Sequence, residues 1–254
     1  MRVPPVEVPK IIWSLWLQGR DAAPGLVHLC LDRWAALNPS YRLEVLDRNR
    51  VALLLDGEPG IDLLPPQALS DIARARLLRD HGGIWVDASL FPIRPLDEWL
   101  PEILTESGFF AFERPKPDRL IASWFLVSTR QNAVLRAWWK EIERYWATPR
   151  QPVPGIPADP VASVAPEGSA TTNTYPYFWF HYLFELIVRT DPEAAAVWSN
   201  RIGISADLPH RLQFLFVNKP LPSEAEIVSA ANAAPVQKLN WRSIYPLETL
   251  NSLR

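Results

Sequence analysis

The chain has 254 residues, 48% of them hydrophobic, enough to bury one large core and to form a single domain with appendages. A formal net charge of −2 gives a nucleic-acid partner no electrostatic footing. One cysteine, Cys30, excludes an internal disulfide framework and suits a reducing compartment.

The chain opens on MRVPPVEVPK, proline-rich and without the apolar stretch of a signal peptide. No later apolar run approaches the ~20 residues of a membrane span, so the expected location is cytoplasmic, at most peripheral at the inner face of a membrane. Residues 10–17 (KIIWSLWL) read as a first strand, rich in β-branched and aromatic residues and closed by Gln18-Gly19. A helix over 25–37 follows, with Cys30 and Trp34 on its core side, and Asn38-Pro39 ends it. Tyr41, Leu43 and Val45 alternate along a second strand over 41–46. Strand, helix and strand at this spacing make a βαβ unit and a parallel sheet. A short helix over 51–55 and a loop over 57–66 lead on.

The central stretch is SDIARARLLRDHGGIWVDAS, residues 70–89. Ile72, Ala73 and Leu77 recur at helical spacing, and Gly82-Gly83 supplies the break. Ile84-Trp85-Val86 is too short for a helix and reads as a buried strand with Asp87 at its end, where ligands collect in open α/β sheets. Asp71 and Arg74, three apart, share one helix face. A carboxylate at a strand tip beside an Asp/Arg pair suits a metal-diphosphate site, the metal taking hard oxygen ligands and the guanidinium meeting phosphate. On periodicity alone, a surface ion pair worth a few tenths of a kcal/mol explains Asp71 and Arg74 equally well.

Beyond it, two prolines interrupt 90–100, strands are expected over 108–112 and 120–128, and an amphipathic helix over 132–146 turns Val134, Leu135, Trp138, Trp139 and Ile142 inward. Glu113, Arg114, Ser123 and Trp124 are candidates for lining an acceptor pocket. Residues 151–174 carry prolines, glycines and no hydrophobic periodicity; they read as a long loop, either a mobile lid or an inert excursion. The aromatic run 175–188 (YPYFWFHYLFELIV) reads as a helix that is either buried or a partner- or membrane-touching surface. In it, His181 is either a ligand contact or a hydrogen-bonded core histidine. Lys238, near the end, is a candidate phosphate contact.

S-D-I-x-R followed by L-L-x-x-x-G-G-I-W-V-D-A-S resembles the sugar-nucleotide signature of capsular polysaccharide synthesis proteins, which are similar to the family 32 glycosyltransferases. L-W-L-Q-G, R-W-x-x-L-N-P-x-Y, L-D-x-N and F-W-F-H-Y-L-F extend the resemblance. It implies a GT-A-like α/β fold: a Rossmann-like, mostly parallel sheet flanked by helices, with added C-terminal helices. Residues 10–128 would form the nucleotide-sugar-binding core of one domain spanning 1–254, and 129–254 a helical acceptor and lid region. It further implies a glycosyltransferase, retaining at the anomeric carbon, that moves a sugar from a nucleotide-sugar donor to a surface polysaccharide or glycolipid acceptor. Trp16 would stack on the base, Asp71 would hold ribose or sugar hydroxyls, and Arg74 would contact the donor. Apart from the resemblance, Gly83, His181 and Lys238 are further candidate substrate-binding positions. The relatives end this signature in D-x-D around Mn²⁺ or Mg²⁺; here Asp87 and Ser89 stand at the metal-ligating positions, the serine contributing no charge. That departure favours one alternative, a non-catalytic carbohydrate-binding or scaffold subunit; a nucleotide-sugar hydrolase on the same fold, with water as acceptor, is the other.

Overall fold

The computed structural model describes residues 6–57, 64–170, 172–218 and 221–253. The opening unit follows its sequence pattern. Strand β1 (Ile11–Leu15), helix α1 (Gly25–Leu37) and strand β2 (Arg42–Leu46) form the βαβ crossover, with β1 and β2 parallel from Ile11↔Arg42 to Leu15↔Leu46. Helix α2 (Arg48–Leu54) starts earlier than expected because the Asp47 side chain accepts from the Arg50 N–H and caps it. Most of the expected 57–66 loop, residues 58–63, lies outside the described residues.

Helix α3 (Pro66–His81) and strand β3 (Gly83–Val86) follow, and β3 joins β1 in parallel through Ile12↔Ile84 and Trp13↔Trp85. Both glycines at this junction are required. Gly82 has φ +65° and Gly83 φ +100°, a region L side chains rarely adopt. A Cβ on Gly83 would stand 2.7 Å from the Ile11 carbonyl oxygen and 3.1 Å from Trp13 Nε1. Trp13 Nε1 also donates to the Gly82 carbonyl at 2.9 Å, so the glycines let α3 return tightly beside β1.

Strand β4 (Leu90–Pro92) and helix α4 (Leu96–Ile103) precede the hairpin of β5 (Phe109–Lys116) and β6 (Arg119–Ser128). The sheet order is β2-β1-β3-β6-β5. β6 pairs antiparallel with both β3 and β5, so four of the five strands run one way and β6 alone is reversed. Both faces of the sheet are covered, which explains the near-continuous apolar strand sequences. Trp13, Trp85 and Leu126 point to one side, while Ile12, Ile84, Phe125 and Val127 point to the other.

The first side packs against α3, helix α5 (Ala133–Trp146) and two later helices. Between them the chain is more ordered than the sequence suggests. Residues 151–174, expected to be a loop, contain strand β7 (Gln151–Val153) and helix α6 (Pro166–Ala170), and β7 pairs with strand β8 (Thr174–Pro176). The buried Arg150 guanidinium ties this excursion down, donating to the carbonyls of Tyr145 (2.8 Å), Ser169 (3.1 Å) and Thr172 (2.7 Å). The expected helix over 175–188 also divides. Tyr175 and Pro176 belong to β8 because the residue before a proline is pushed to extended backbone, and helix α7 runs over Trp179–Thr190. Its aromatic face is core: Trp179, Phe180, Tyr182 and Phe184 are buried, and the Trp138 and Phe180 rings stack with centroids 3.9 Å apart. Of the two readings of this helix, buried or surface-touching, its burial supports the first.

Helix α8 (Pro192–Ser199) completes that layer. The C-terminal part adds a third cluster beyond α1: helices α9 (Arg211–Asn218) and α10 (Glu224–Ala231), strand β9 (Val236–Lys238) and helix α11 (Leu247–Ser252). Cys30 is fully buried in this cluster, and burial pushes its thiol up to about 12, the behaviour of a packing residue. Among the described residues no helix is long and apolar enough to cross a membrane.

Candidate functional site

The site forms where β3 ends. The Asp87 N–H continues the ladder by donating to the Trp124 carbonyl at 2.9 Å, and the Leu90 N–H donates to the Asp87 carbonyl at 2.8 Å. Residues 87–90 thus make a tight turn between β3 and β4. β4 in turn pairs antiparallel with β9, Leu90 opposite Lys238. A lysine 151 positions away in sequence thereby reaches the strand tip: Lys238 Nζ donates to Asp87 Oδ2 at 2.9 Å and to Ser89 Oγ at 3.0 Å. The Ser89 hydroxyl gives its own proton to the Leu239 carbonyl at 3.0 Å, clipping the turn to β9.

The second cation comes from α3. Arg74 is 4% exposed and lies between two carboxylates, with Nη2 3.2 Å from Asp71 Oδ1 and 3.6 Å from Asp87 Oδ1. It donates to the Ser123 carbonyl at 2.7 Å and to Ser70 Oγ at 3.0 Å, and its guanidinium lies over the Trp85 ring at 4.9 Å. The bland alternative, a solvated i,i+3 pair, is excluded by this burial. Trp85 Nε1 adds a hydrogen bond to Asp87 Oδ1 at 3.2 Å.

The two carboxylates are driven apart electrostatically. Burial alone would raise Asp87, but the charges of Lys238 and Arg74, with hydrogen bonds from Lys238 and Trp85, outweigh it and hold the carboxyl at about 2. Burial dominates at Asp71: Arg74 offsets part of it, Asp87 adds to it, and the carboxyl rises to about 7. The Lys238 ammonium and the Arg74 guanidinium thus flank a firmly ionised Asp87 at the strand tip.

Three buried polar atoms of the candidate site residues have no partner among the described residues: Trp16 Nε1, Asp71 Oδ2 and His181 Nδ1. His181 is buried on α7, where burial, then Arg119 and Arg74, push its imidazole down to about 3, so it is neutral. A hydrogen-bonding ligand would satisfy all three orphaned atoms.

Trp16 follows the end of β1; its ring meets Trp241 edge-to-face at 5.3 Å, and the Arg242 guanidinium lies over Trp241 at 4.5 Å. Tyr177, half exposed, feels the Asp71 and Asp87 charges, which together with burial raise its phenol. The sequence reading missed Tyr177 and Arg242; their only signal was proximity to β8 and β9, strands too short to recognise.

Gly83 is not at this site. It begins β3, whereas Asp87 follows its end, and the space beside it is filled by Ile11 and Trp13. Its conformational role explains its presence without donor contact. Of the acceptor-pocket candidates, Ser123 and Trp124 reach the site through their carbonyls, while Glu113 forms an ion pair with Arg201. A groove of about 560 Å³ between α9 and α10 shares no residue with the cluster.

The donor set at Asp87 suits a divalent cation poorly. Mg²⁺ and Mn²⁺ take hard oxygen ligands, yet Asp87 Oδ2 and Ser89 Oγ both face the Lys238 ammonium, and Ser89 brings no charge. Among the described residues no group of three His, Cys, Asp or Glu side chains is arranged to hold a metal.

Fold and cluster define an α/β protein with Arg74 and Lys238 gathered around Asp87 at the carboxyl end of β3. The chain belongs to the capsular polysaccharide synthesis protein family, whose model matches residues 2–153. It is similar to HOC1 of Saccharomyces cerevisiae, named as a glycosyltransferase, at 29% identity over 128 residues, covering 47% of this chain and 32% of that protein. It is also similar to the initiation-specific alpha-1,6-mannosyltransferase of Candida albicans, at 26% identity over 156 residues, 50% of this chain and 40% of that protein. The matched stretch thus spans well under half the length of these relatives. Among solved structures, the PaToxG glycosyltransferase superposes with a TM-score of 0.43 at 11% identity, covering 98% of this chain and 88% of that one.

Proposed function

We propose that this protein is a glycosyltransferase that moves a sugar from a nucleotide-sugar donor to a surface polysaccharide or glycolipid acceptor. The observation that carries the reading is the convergence of Arg74 and Lys238 on Asp87 at the end of β3. Two cations held by one ionised carboxylate form a preorganised receptor for a diphosphate. They offset the charge that grows on the departing group as the glycosidic bond breaks. The relatives named as glycosyltransferases support the same activity.

The remaining residues take roles that follow from their chemistry. Trp16, whose ring lies at 90° to that of Trp241, is the aromatic surface for the nucleotide base. Asp71 Oδ2, buried and unpartnered, accepts from a hydroxyl of the ribose or the transferred sugar. His181, neutral, meets a second hydroxyl through Nδ1. In the retaining course that the family resemblance implies, the acceptor hydroxyl attacks from the face the diphosphate vacates. Its proton passes to the leaving phosphate, so no separate base is required.

The test is a panel of nucleotide-sugars assayed for nucleoside diphosphate release, with and without glycan or glycolipid acceptors. Acceptor-stimulated release by the wild type, reduced at least about tenfold in Asp71→Asn through loss of one charge-assisted hydrogen bond, is the expected result. Equal release without acceptor would identify a hydrolase. No release, and no binding of any donor to folded protein, would leave a carbohydrate-binding or scaffold role.

A further inference from the structure

We infer that Lys238, rather than a divalent metal, neutralises the donor's diphosphate: its ammonium is clamped by Asp87 and Ser89 where a metal ion would otherwise sit. The inference rests on the donor reading above and concerns how that site meets phosphate charge.

Four features support it. The ammonium has three N–H donors; Asp87 Oδ2 takes one at 2.9 Å and Ser89 Oγ another at 3.0 Å, which leaves one for a ligand oxygen. The side chain is 20% exposed, so an incoming anion can reach it. The lysine also starts from a fixed backbone position, because it stands in β9 opposite Leu90 and the next residue is bonded to Ser89 through both its N–H and its carbonyl. Finally, a hard cation bound to Asp87 Oδ2 would lie roughly 2.0–2.6 Å from that oxygen, within a few ångströms of the ammonium, and the like charges would repel at short range.

Ser89 follows from the same arrangement. An aspartate there would add a second negative charge, which favours a metal. A hydroxyl instead donates to Leu239 and accepts from Lys238, so it orients the ammonium without adding charge. Asp87 becomes the residue that positions Lys238 and Arg74, and its own contact with phosphate is unnecessary. The consequence is a diphosphate site whose affinity does not depend on Mg²⁺ or Mn²⁺.

The experiment is calorimetric titration of wild type, Lys238→Met and Lys238→Arg with UDP, GDP, CDP, ADP and dTDP, each in excess EDTA and in excess MnCl₂. The expected result is one nucleotide that binds wild type within about twofold in both conditions. Lys238→Met should weaken it by about tenfold or more, the loss of one charge-assisted contact, and Lys238→Arg should recover part of that. Binding that requires Mn²⁺ would overturn the inference while leaving the donor site standing. Metal-independent binding unchanged in folded Lys238→Met would overturn the role of this lysine. Failure of all five nucleotides in both conditions would overturn the inference and the donor reading together. If Lys238→Met does not fold, the EDTA and MnCl₂ comparison on wild type and Lys238→Arg still decides metal dependence.

Discussion

Gly83→Ala separates a conformational glycine from a ligand-binding one. The new methyl meets two costs. At φ +100° an L side chain carries backbone strain of about 1–3 kcal/mol. Its Cβ would also stand 2.7 Å from the Ile11 carbonyl oxygen, an atom of the strand-bearing backbone that cannot yield as a flexible side chain would. Overpacking of this kind costs about 1–3 kcal/mol more. The sum, about 2–6 kcal/mol, is a large share of the roughly 5–15 kcal/mol that holds a domain folded. Gly155→Ala is the matched control, because Gly155 has φ +87° and nothing within 4 Å of the added atom. Urea unfolding followed by tryptophan fluorescence should show the strain cost alone, about 1–3 kcal/mol, for Gly155→Ala and a further loss of about 1–3 kcal/mol for Gly83→Ala. Any Gly83→Ala protein that remains folded should bind nucleotide as wild type does. A wild-type unfolding midpoint with weakened nucleotide affinity would refute the packing argument and return Gly83 to the donor site.

Asp71 and His181 should give opposite pH dependences of stability. Burial raises the Asp71 carboxyl from 3.8 to about 7, so its contribution is full below about pH 4 and is lost as pH rises through 7. Burial lowers His181 from 6.5 to about 3, so its contribution is full above about pH 6.5 and is lost as pH falls through 3. Between about pH 4 and 6.5 the two slopes oppose one another. Asp71→Asn should therefore unmask a loss of stability on acidification, and His181→Gln a loss on raising the pH; unfolding midpoints that stay parallel to wild type across this window would refute both assignments. Arg150→Met should strand three carbonyls that its guanidinium now satisfies, costing at least about 2 kcal/mol and speeding limited proteolysis within 151–174. Cleavage there at the wild-type rate would mean that the β7–β8 pairing alone holds the segment.

The parts of this protein legible in its sequence are those whose signal is local. β1, α1 and β2 alternate or repeat within one window and end at Gln18-Gly19 and Asn38-Pro39. The α3–β3 unit likewise declares itself through Ile72, Ala73 and Leu77, the paired glycines, and Asp87 just past Val86. Asp71 and Arg74 were recognisable as a pair because helical spacing alone puts them on one face. Their burial was not, because it depends on Phe180 and the β6 strand closing over them. The segment 151–174 and the Tyr175-Pro176 strand escaped because three-residue strands carry no period, and Arg150 organises them from a distance through backbone carbonyls. Lys238 is the clearest division. Its sequence neighbourhood offered only a basic residue near an aromatic one. Its meeting with Asp87 and Ser89 is made by three paired residues of β4 and β9, across 151 positions of chain. Periodicity specifies which face a residue takes on its own element; which distant element it meets is decided by packing, and the charge balance at this site is a property of that packing.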